Sequence, residues 1–415
     1  VRRLIGLCGR GPLLLACAIV ALLVAPASGL ATAPPDLQVT AAGLIEESTG
    51  QQLYGRNASA ELPIASTTKI MTALVTLQHV KRLDTVLTQN DWVPAAADSQ
   101  IGVVPGERMT ERDLLLALLL PSADDAAEDL AYNVGGGSVA SFVAMMNADA
   151  KALGLSDTHY STPIGLDTPG NYSSAWDLDK LAAYVLTHSA LFREIVALPS
   201  ATLATGPVRD VVNRDDLLGR VPWINGVKTG HTAAAGYVLV TSGTRDGMTL
   251  IGSVLGTASE SARDQNALAL LDYGFAEFRL VKPVQAGQQL AVLRVAGQPY
   301  VHASVIAAGG FARVVKRSDD VRLRLALARH LTGPLRRHTV VGEVTVLIDG
   351  SPAARIPVLL ARALAAAPST ALLAGISGRT LVLLALIVTF VALVLAAVRL
   401  QLRLRTTASD RLETR

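Results

Sequence analysis

The stretch "LPIASTTKIMTAL", Leu62–Leu74, sets a serine and a lysine three residues apart where a helical pattern begins. From Ser66 to about Val80 the apolar residues Ile70, Met71, Leu74 and Leu77 fall on one face at helical spacing. Residues i and i+3 of a helix stack about one turn apart, so Ser66 and Lys69 are expected to point the same way. A serine hydroxyl becomes a nucleophile when a neighbouring base takes its proton. A lysine is such a base once burial or nearby cations lower its pKa. The spacing alone also arises by chance, so its meaning depends on the rest of the chain.

Far downstream, "NGVKTGHTAAAGYVLVTS" (Asn225–Ser242) brings Lys228-Thr229-Gly230 to the entry of a strand. Gly230 permits close approach to the strand backbone. Lys228 offers a positive charge, and Thr229 and Thr232 offer hydroxyls. Between the two stretches lies "LLLPSADDAAEDLA" (Leu118–Ala131), where a leucine run meets two acids. Ser122 and Asp125 stand in the relation of a capping box, and acids suit a helix N-terminus. Capping and a chemical role for Ser122 are both open at this point.

Around these stretches the pattern reads as α+β. Val39–Glu47 and Gln51–Gly55 are strand-like. Helical patterns follow at Glu111–Leu120, Asp124–Val134, Ser138–Leu153 and Trp176–Thr187. Gly236–Ser242 and Met248–Leu255 read as paired strands joined by "GTRDG", and a helix follows from about Ser259 to Phe278. One antiparallel sheet, completed from both ends of this region, is expected. Beyond Leu280 short β-rich runs are punctuated by Gly and Pro.

The organisation expected from these signals is a signal peptide (1–33), a catalytic domain (36–278), a small β domain (280–364), a linker (365–379), a transmembrane helix (380–398) and a cytoplasmic tail (399–415). Arg2, Arg3 and Arg10 precede the apolar Leu13–Val24, and Ala25-Pro26-Ala27 supplies a small-x-small site. Thr380–Val398 carries no charge and is long enough to span a bilayer. Arg399, Arg403 and Arg405 follow it, which by the positive-inside rule places the tail in the cytoplasm and the preceding domains outside. Both cysteines, Cys8 and Cys17, fall in the signal peptide. The exported protein is therefore expected to have no disulfide, thiol nucleophile or cysteine metal site. A net charge of +3 over 415 residues argues against a nucleic-acid partner. No His-Glu-x-x-His pair and no phosphate-binding Gly-Lys loop is present. No metal or cofactor is expected.

Taken together, "ASTTKIMTAL", "PSADDAAEDLA", "GLDTPGNYSSAWDLDKLA" and "GVKTGHT" resemble the serine D-alanyl-D-alanine carboxypeptidases, the low-molecular-mass penicillin-binding proteins, marked by S-x-x-K, S-x-N and K-T-G. The resemblance covers about Val39–Phe278 and implies a β-lactamase/transpeptidase-like domain. It implies Ser66 as nucleophile, Lys69 as general base and Ser122 as proton relay. Lys228, Thr229, Gly230, His231 and Thr232 would bind substrate, the backbone N–H groups of Ser66 and His231 forming the oxyanion hole. The implied substrate is the peptidoglycan stem pentapeptide, with β-lactams as covalent inhibitors and a C-terminal membrane anchor. An endopeptidase acting on cross-links, or a degenerate wall-binding or sensory module, would share these residues. A class A β-lactamase also needs a glutamate in an E-x-x-L-N stretch, and none lies between Ser122 and Lys228.

Two positions depart from the pattern. Asp124 stands where the family has asparagine, in the substrate-binding position of the second motif. An ionised carboxylate only accepts hydrogen bonds. It is expected to hold Lys69 as ammonium and slow turnover without abolishing acylation. Thr162 stands where asparagine commonly precedes Pro-x-Gly-Leu, a change expected to be structural.

Overall fold

The computed structural model describes residues 33–80, 82–367 and 378–409. Most of the expected signal peptide (1–33), with Cys8 and Cys17, the middle of the expected linker (365–379) and the end of the expected tail (399–415) lie outside the described residues. The packing separates two compact units. The first is the chain through Val284 with Phe311–Arg322 and Leu347–Pro352.

Its framework is a five-stranded antiparallel sheet. Strands β1 (Ala41–Glu46) and β2 (Gln52–Arg56) come from the start of the chain. Three strands come from much later, and with the two short hairpins that precede them (β3, Val86–Thr88, with β4, Arg108–Thr110; β5, Ser200–Leu203, with β6, Arg209–Val212) they are β7 (Ile224–Thr232), β8 (Gly236–Arg245) and β9 (Met248–Thr257). The order is β2-β1-β9-β8-β7, which leaves β7 at an edge. This is the sheet expected from both ends of the region. Strand side chains alternate between faces, and here both faces are covered. Ala41, Ile45, Val238, Val240, Ile251 and Leu255 join the helical core on one side. Ala42, Leu44, Leu239, Leu250 and Val254 pack with Ala267, Leu270, Leu271 and Phe275 on the other. That double burial explains why these strands read as nearly continuous apolar runs.

The helices are α1 (Lys69–His79), α2 (Glu111–Leu119), α3 (Asp124–Val134), α4 (Val139–Ala152), α5 (Ala175–His188), α6 (Ala190–Val196) and α7 (Glu260–Glu277). Helix α1 is buried from Lys69 through Thr76 and forms the centre of the helical cluster. Thr110, Ser138, Ser174, Ser189 and Ser259 cap their helices by accepting a backbone N–H two or three residues on, the arrangement that satisfies first-turn donors. Helix α3 differs. Its N-cap is Ala123, with no side-chain cap, so the capping box expected for Ser122 and Asp125 does not form. Ser122 adopts a left-handed backbone (φ +67°) that turns it out of the capping position.

The β-rich stretch after α7 is discontinuous, where composition suggests one contiguous domain. Strand β10 (Phe278–Val284) pairs with β13 (Phe311–Lys316), and this ties the latter segment to the first unit. The second unit holds β11 (Gln289–Val295), β12 (Gln298–Ala307), β15 (Val340–Ile348) and β16 (Ser351–Leu360), in a sheet of order β11-β12-β16-β15-β14 with β14 (Val321–Leu327) at its edge. Helix α8 spans Gly378–Ser409. Its segment Gly378–Gln401 contains an 18-residue stretch with a mean hydropathy of 3.2 and is long and apolar enough to cross a membrane. The helix continues past Val398 through Arg399–Arg405, a run of Arg, Leu and Gln, all strong helix formers.

Candidate active site

The chain enters α1 through a single 3-10 turn, Ala65–Thr68. Ala65 has a left-handed backbone (φ +48°), and Gly165 (φ +91°) sits directly beneath its carbonyl. A Cβ at Gly165 would meet the Ala65 oxygen at 2.1 Å, so only glycine permits this approach. The 162–165 turn is clipped to the same helix start. The Thr72 hydroxyl donates to the Pro163 carbonyl (2.6 Å) and Lys69 Nζ to the Ile164 carbonyl (3.0 Å). Thr162 Oγ1 accepts the Gly165 N–H (3.0 Å), a turn-closing bond of the kind Asx and Ser/Thr turns make. Its role is thus structural, as the sequence suggests.

Ser66 and Lys69 meet as their spacing predicts. Lys69 Nζ lies 2.9 Å from Ser66 Oγ. The Lys69 side chain is fully buried, and burial pulls its pKa below the usual lysine range against the upward pull of Asp124. Asp124 Oδ1 lies 2.5 Å from the same nitrogen. With Ile164 O, these three contacts use every donor an ammonium has. Asp124, the first residue of α3, is 3% exposed, and burial raises its pKa against the opposing pull of Lys69.

Ser122 is buried, and its Oγ makes no hydrogen bond among the described residues. Asp125 points elsewhere. Its carboxylate accepts the N–H groups of Ile101, Gly102 and Val103, while Asp124 N donates to Ser99 O. These bonds pin the 99–103 loop across the start of α3, a structural role.

The edge strand β7 carries the remaining candidates. A Cβ at Gly230 would stand 3.0 Å from Ala65 Cβ and from Ser66 N, so β7 packs directly against the turn that carries Ser66. Lys228 is buried and donates to Thr229 O (3.0 Å). Burial, reinforced by the Lys69 and Arg214 charges, drives its pKa well below the usual lysine range. Thr229 is buried, whereas His231 is exposed and stacks on Tyr237 with ring centroids 4.1 Å apart. Thr232 Oγ1 donates to Asp167 Oδ1 (2.6 Å), and Ala234 N donates to Asp167 Oδ2 (3.0 Å).

Sequence reasoning missed three contributors. Asp167 fixes the Thr232 hydroxyl. The Ile164 carbonyl takes a Lys69 proton, and a backbone carbonyl has no residue signature. Arg214 bears on both lysines and is held by its N–H to the Leu120 carbonyl (3.2 Å), which brings it beside the Ser122 turn. Pro121 and Arg214 also border an open cleft that continues past Arg209 and Glu260. Among the described residues no cluster of His, Cys, Asp and Glu suits a metal ion.

The profile of the D-alanyl-D-alanine carboxypeptidase family, peptidase S11, matches residues 28–259. The D-alanyl-D-alanine carboxypeptidase DacD of Salmonella typhimurium is 32% identical over 339 residues, covering 78% of this chain and 85% of its own. A D-alanyl-D-alanine carboxypeptidase of Streptomyces strain K15 is 38% identical over 263 residues, covering 59% of this chain and 90% of its own. Among solved structures, penicillin binding protein 5 from Haemophilus influenzae aligns with a TM-score of 0.65 at 27% identity, covering 80% of this chain and 99% of that one. The matched span runs over more than half of the residues and takes in the Ser66, Ser122 and Lys228 segments alike: the chain belongs to the D-alanyl-D-alanine carboxypeptidase family.

Proposed function

We propose that this protein is a serine D-Ala-D-Ala carboxypeptidase that removes the terminal D-alanine from peptidoglycan stem pentapeptides through a Ser66 acyl-enzyme. The observation that carries this reading is a fully buried lysine nitrogen 2.9 Å from a serine hydroxyl at the mouth of a helix. Lys69 takes the Ser66 proton as Oγ attacks the carbonyl of the penultimate D-alanine. The N–H groups of Ser66 and His231 receive the oxyanion, each such donor being worth about 3 kcal/mol. Lys228 and Thr229 hold the terminal carboxylate, joined by Thr232 when its O–H turns from Asp167 to the substrate. Gly230 lets the Ser66 turn close on β7, along whose free edge an extended substrate can pair as an added strand. Arg214 also helps keep Lys69 in its neutral, proton-accepting form by lowering its pKa.

Ser122 passes the proton from Lys69 to the departing D-alanine amine. Its hydroxyl has no competing partner among the described residues, which leaves it free to turn between the two. Water then hydrolyses the ester. β-Lactams acylate Ser66 in the same way, and because the ring nitrogen released from the carbonyl stays tethered to the acyl group, the acyl-enzyme persists.

The catalytic domain is assigned to 36–278, followed by the small β domain within 280–364. Helix α8 supports a single-pass anchor, with the catalytic domain on the outer face of the plasma membrane. D-alanine release from a synthetic pentapeptide, present in the wild type and absent in Ser66→Ala, tests the activity. Fluorescent penicillin that still labels Ser66→Ala would overturn the site assignment.

A further inference from the structure

We propose that Asp124 works as a carboxylic acid, so that Lys69 and Asp124 share one proton and together do what a lysine–asparagine pair does. The inference rests on Ser66 as nucleophile and Lys69 as base, and it concerns how that base is freed.

The geometry leaves one arrangement in which all roles are filled. A neutral lysine amine has two N–H donors and one lone pair. Of its three contacts, Ile164 O can only accept. Ser66 Oγ must donate if Lys69 is to take its proton. Asp124 Oδ1, at 2.5 Å, then accepts the remaining N–H. The proton leaving the ammonium crosses to the carboxylate along the 2.5 Å Nζ–Oδ1 contact, and rotation of the carboxyl group about Cβ–Cγ carries the O–H away from Lys69, to the position of the oxygen that makes no hydrogen bond among the described residues. From there an O–H can donate to the substrate carbonyl. An asparagine side chain offers the same pairing, a carbonyl oxygen toward lysine and an N–H donor toward substrate. One proton moves within the pair, the net charge is unchanged, and no outside acid or base is required. Lys69 then takes the Ser66 proton and returns it to the departing amine through Ser122, while Asp124 keeps its own proton throughout.

Burial supports this state. The pair sits at 0% and 5% side-chain exposure, where two charges are poorly solvated, and desolvation shifts Lys69 down and Asp124 up, both toward the neutral form. An apolar site that keeps a carboxylic acid neutral so that it can donate is an established device. The surrounding charges pull both ways. Lys228 on β7 and the N-terminus of α3 favour the carboxylate and Asp98 favours the acid, while Arg214 favours the neutral amine of Lys69 and Asp125 its ammonium; Glu128, kept protonated by burial up to about pH 7, adds no charge below that.

The test is the rate of acylation by fluorescent penicillin across pH, using the full chain in detergent micelles. The wild-type rate should fall on the alkaline side, where the pair loses its single proton and a carboxylate faces the substrate carbonyl. Asp124→Asn should lack that fall and exceed the wild type there by at least tenfold. Asp124→Ala, with no donor, should be roughly 100-fold slower than Asp124→Asn. Identical pH profiles for wild type and Asp124→Asn would overturn the proposal, as would equal rates for the Ala and Asn variants. If Asp124→Ala does not fold, the Asp124→Asn profile decides alone. Labelling that survives in Ser66→Ala would instead overturn the reading of the site, whatever the Asp124 variants do.

Discussion

Glu128 lies one turn along α3 from Asp124 and is 7% exposed, and no hydrogen bond to its carboxylate is formed among the described residues. Burial, with a further push from Asp124, raises its pKa from 4.5 to about 7. The native carboxyl therefore holds its proton up to about pH 7, while the unfolded one releases it near 4.5. In that window the native state binds more protons, so stability falls as pH rises through it. At 1.36 kcal/mol for each tenfold change in proton affinity, the full difference is roughly 3 kcal/mol. Solvent reaching the group reduces this to about 1–2 kcal/mol. Glu128→Gln removes the titration but keeps the shape. Any constant penalty from burying the amide cancels when two pH values are compared. Calorimetry at pH 5 and pH 8 should thus show the variant gaining about 1–2 kcal/mol relative to wild type at the higher pH, or roughly 2–8 °C in Tm. A Tm difference that is the same at both pH values would refute the reasoning, because it would mean that Glu128 ionises without hindrance in the folded protein.

Two further outcomes follow from the site. Gly230→Ala places a methyl 3.0 Å from Ala65 Cβ and Ser66 N; overpacking of this kind costs about 1–3 kcal/mol, and displacement of the Ser66 turn should slow penicillin acylation roughly 10–100-fold, with an unchanged rate showing that the strand and turn are not tightly packed. Asp167→Ala frees Thr232 Oγ1 and Ala234 N from their shared acceptor, and steady-state D-alanine release should show KM rising by about 1–2 kcal/mol of lost binding with kcat less affected, whereas a fall confined to kcat would place Asp167 in the chemistry instead.

Much of the site was legible because its signals are local. The three-residue spacing of Ser66 and Lys69 survives the 3-10 turn that replaces the first helical turn, since both geometries put i and i+3 on one side. The sheet was legible because β1, β8 and β9 are apolar and pair antiparallel, with one register shift between Tyr237 and Leu239. What stayed hidden depends on tertiary placement. Arg214 reaches the lysines only because a backbone bond ties it to Leu120, and no pattern near residue 214 announces that. The short helix α6 and the β5–β6 hairpin are too brief for periodicity to register. The capping motif at Ser122 misled because a sequence pattern assumes an extended backbone at the cap, and Ser122 has φ +67°.

That same backbone sets stability against turnover at a single residue. A non-glycine residue held at positive φ carries a strain of order 1–3 kcal/mol. Glycine would relax the turn between α2 and α3 at once, yet it would bring no hydroxyl to the site. Any drift toward a more heat-resistant chain is therefore drawn to this position, and there it would yield a sturdier protein without the hydroxyl proposed to hand a proton to its leaving product.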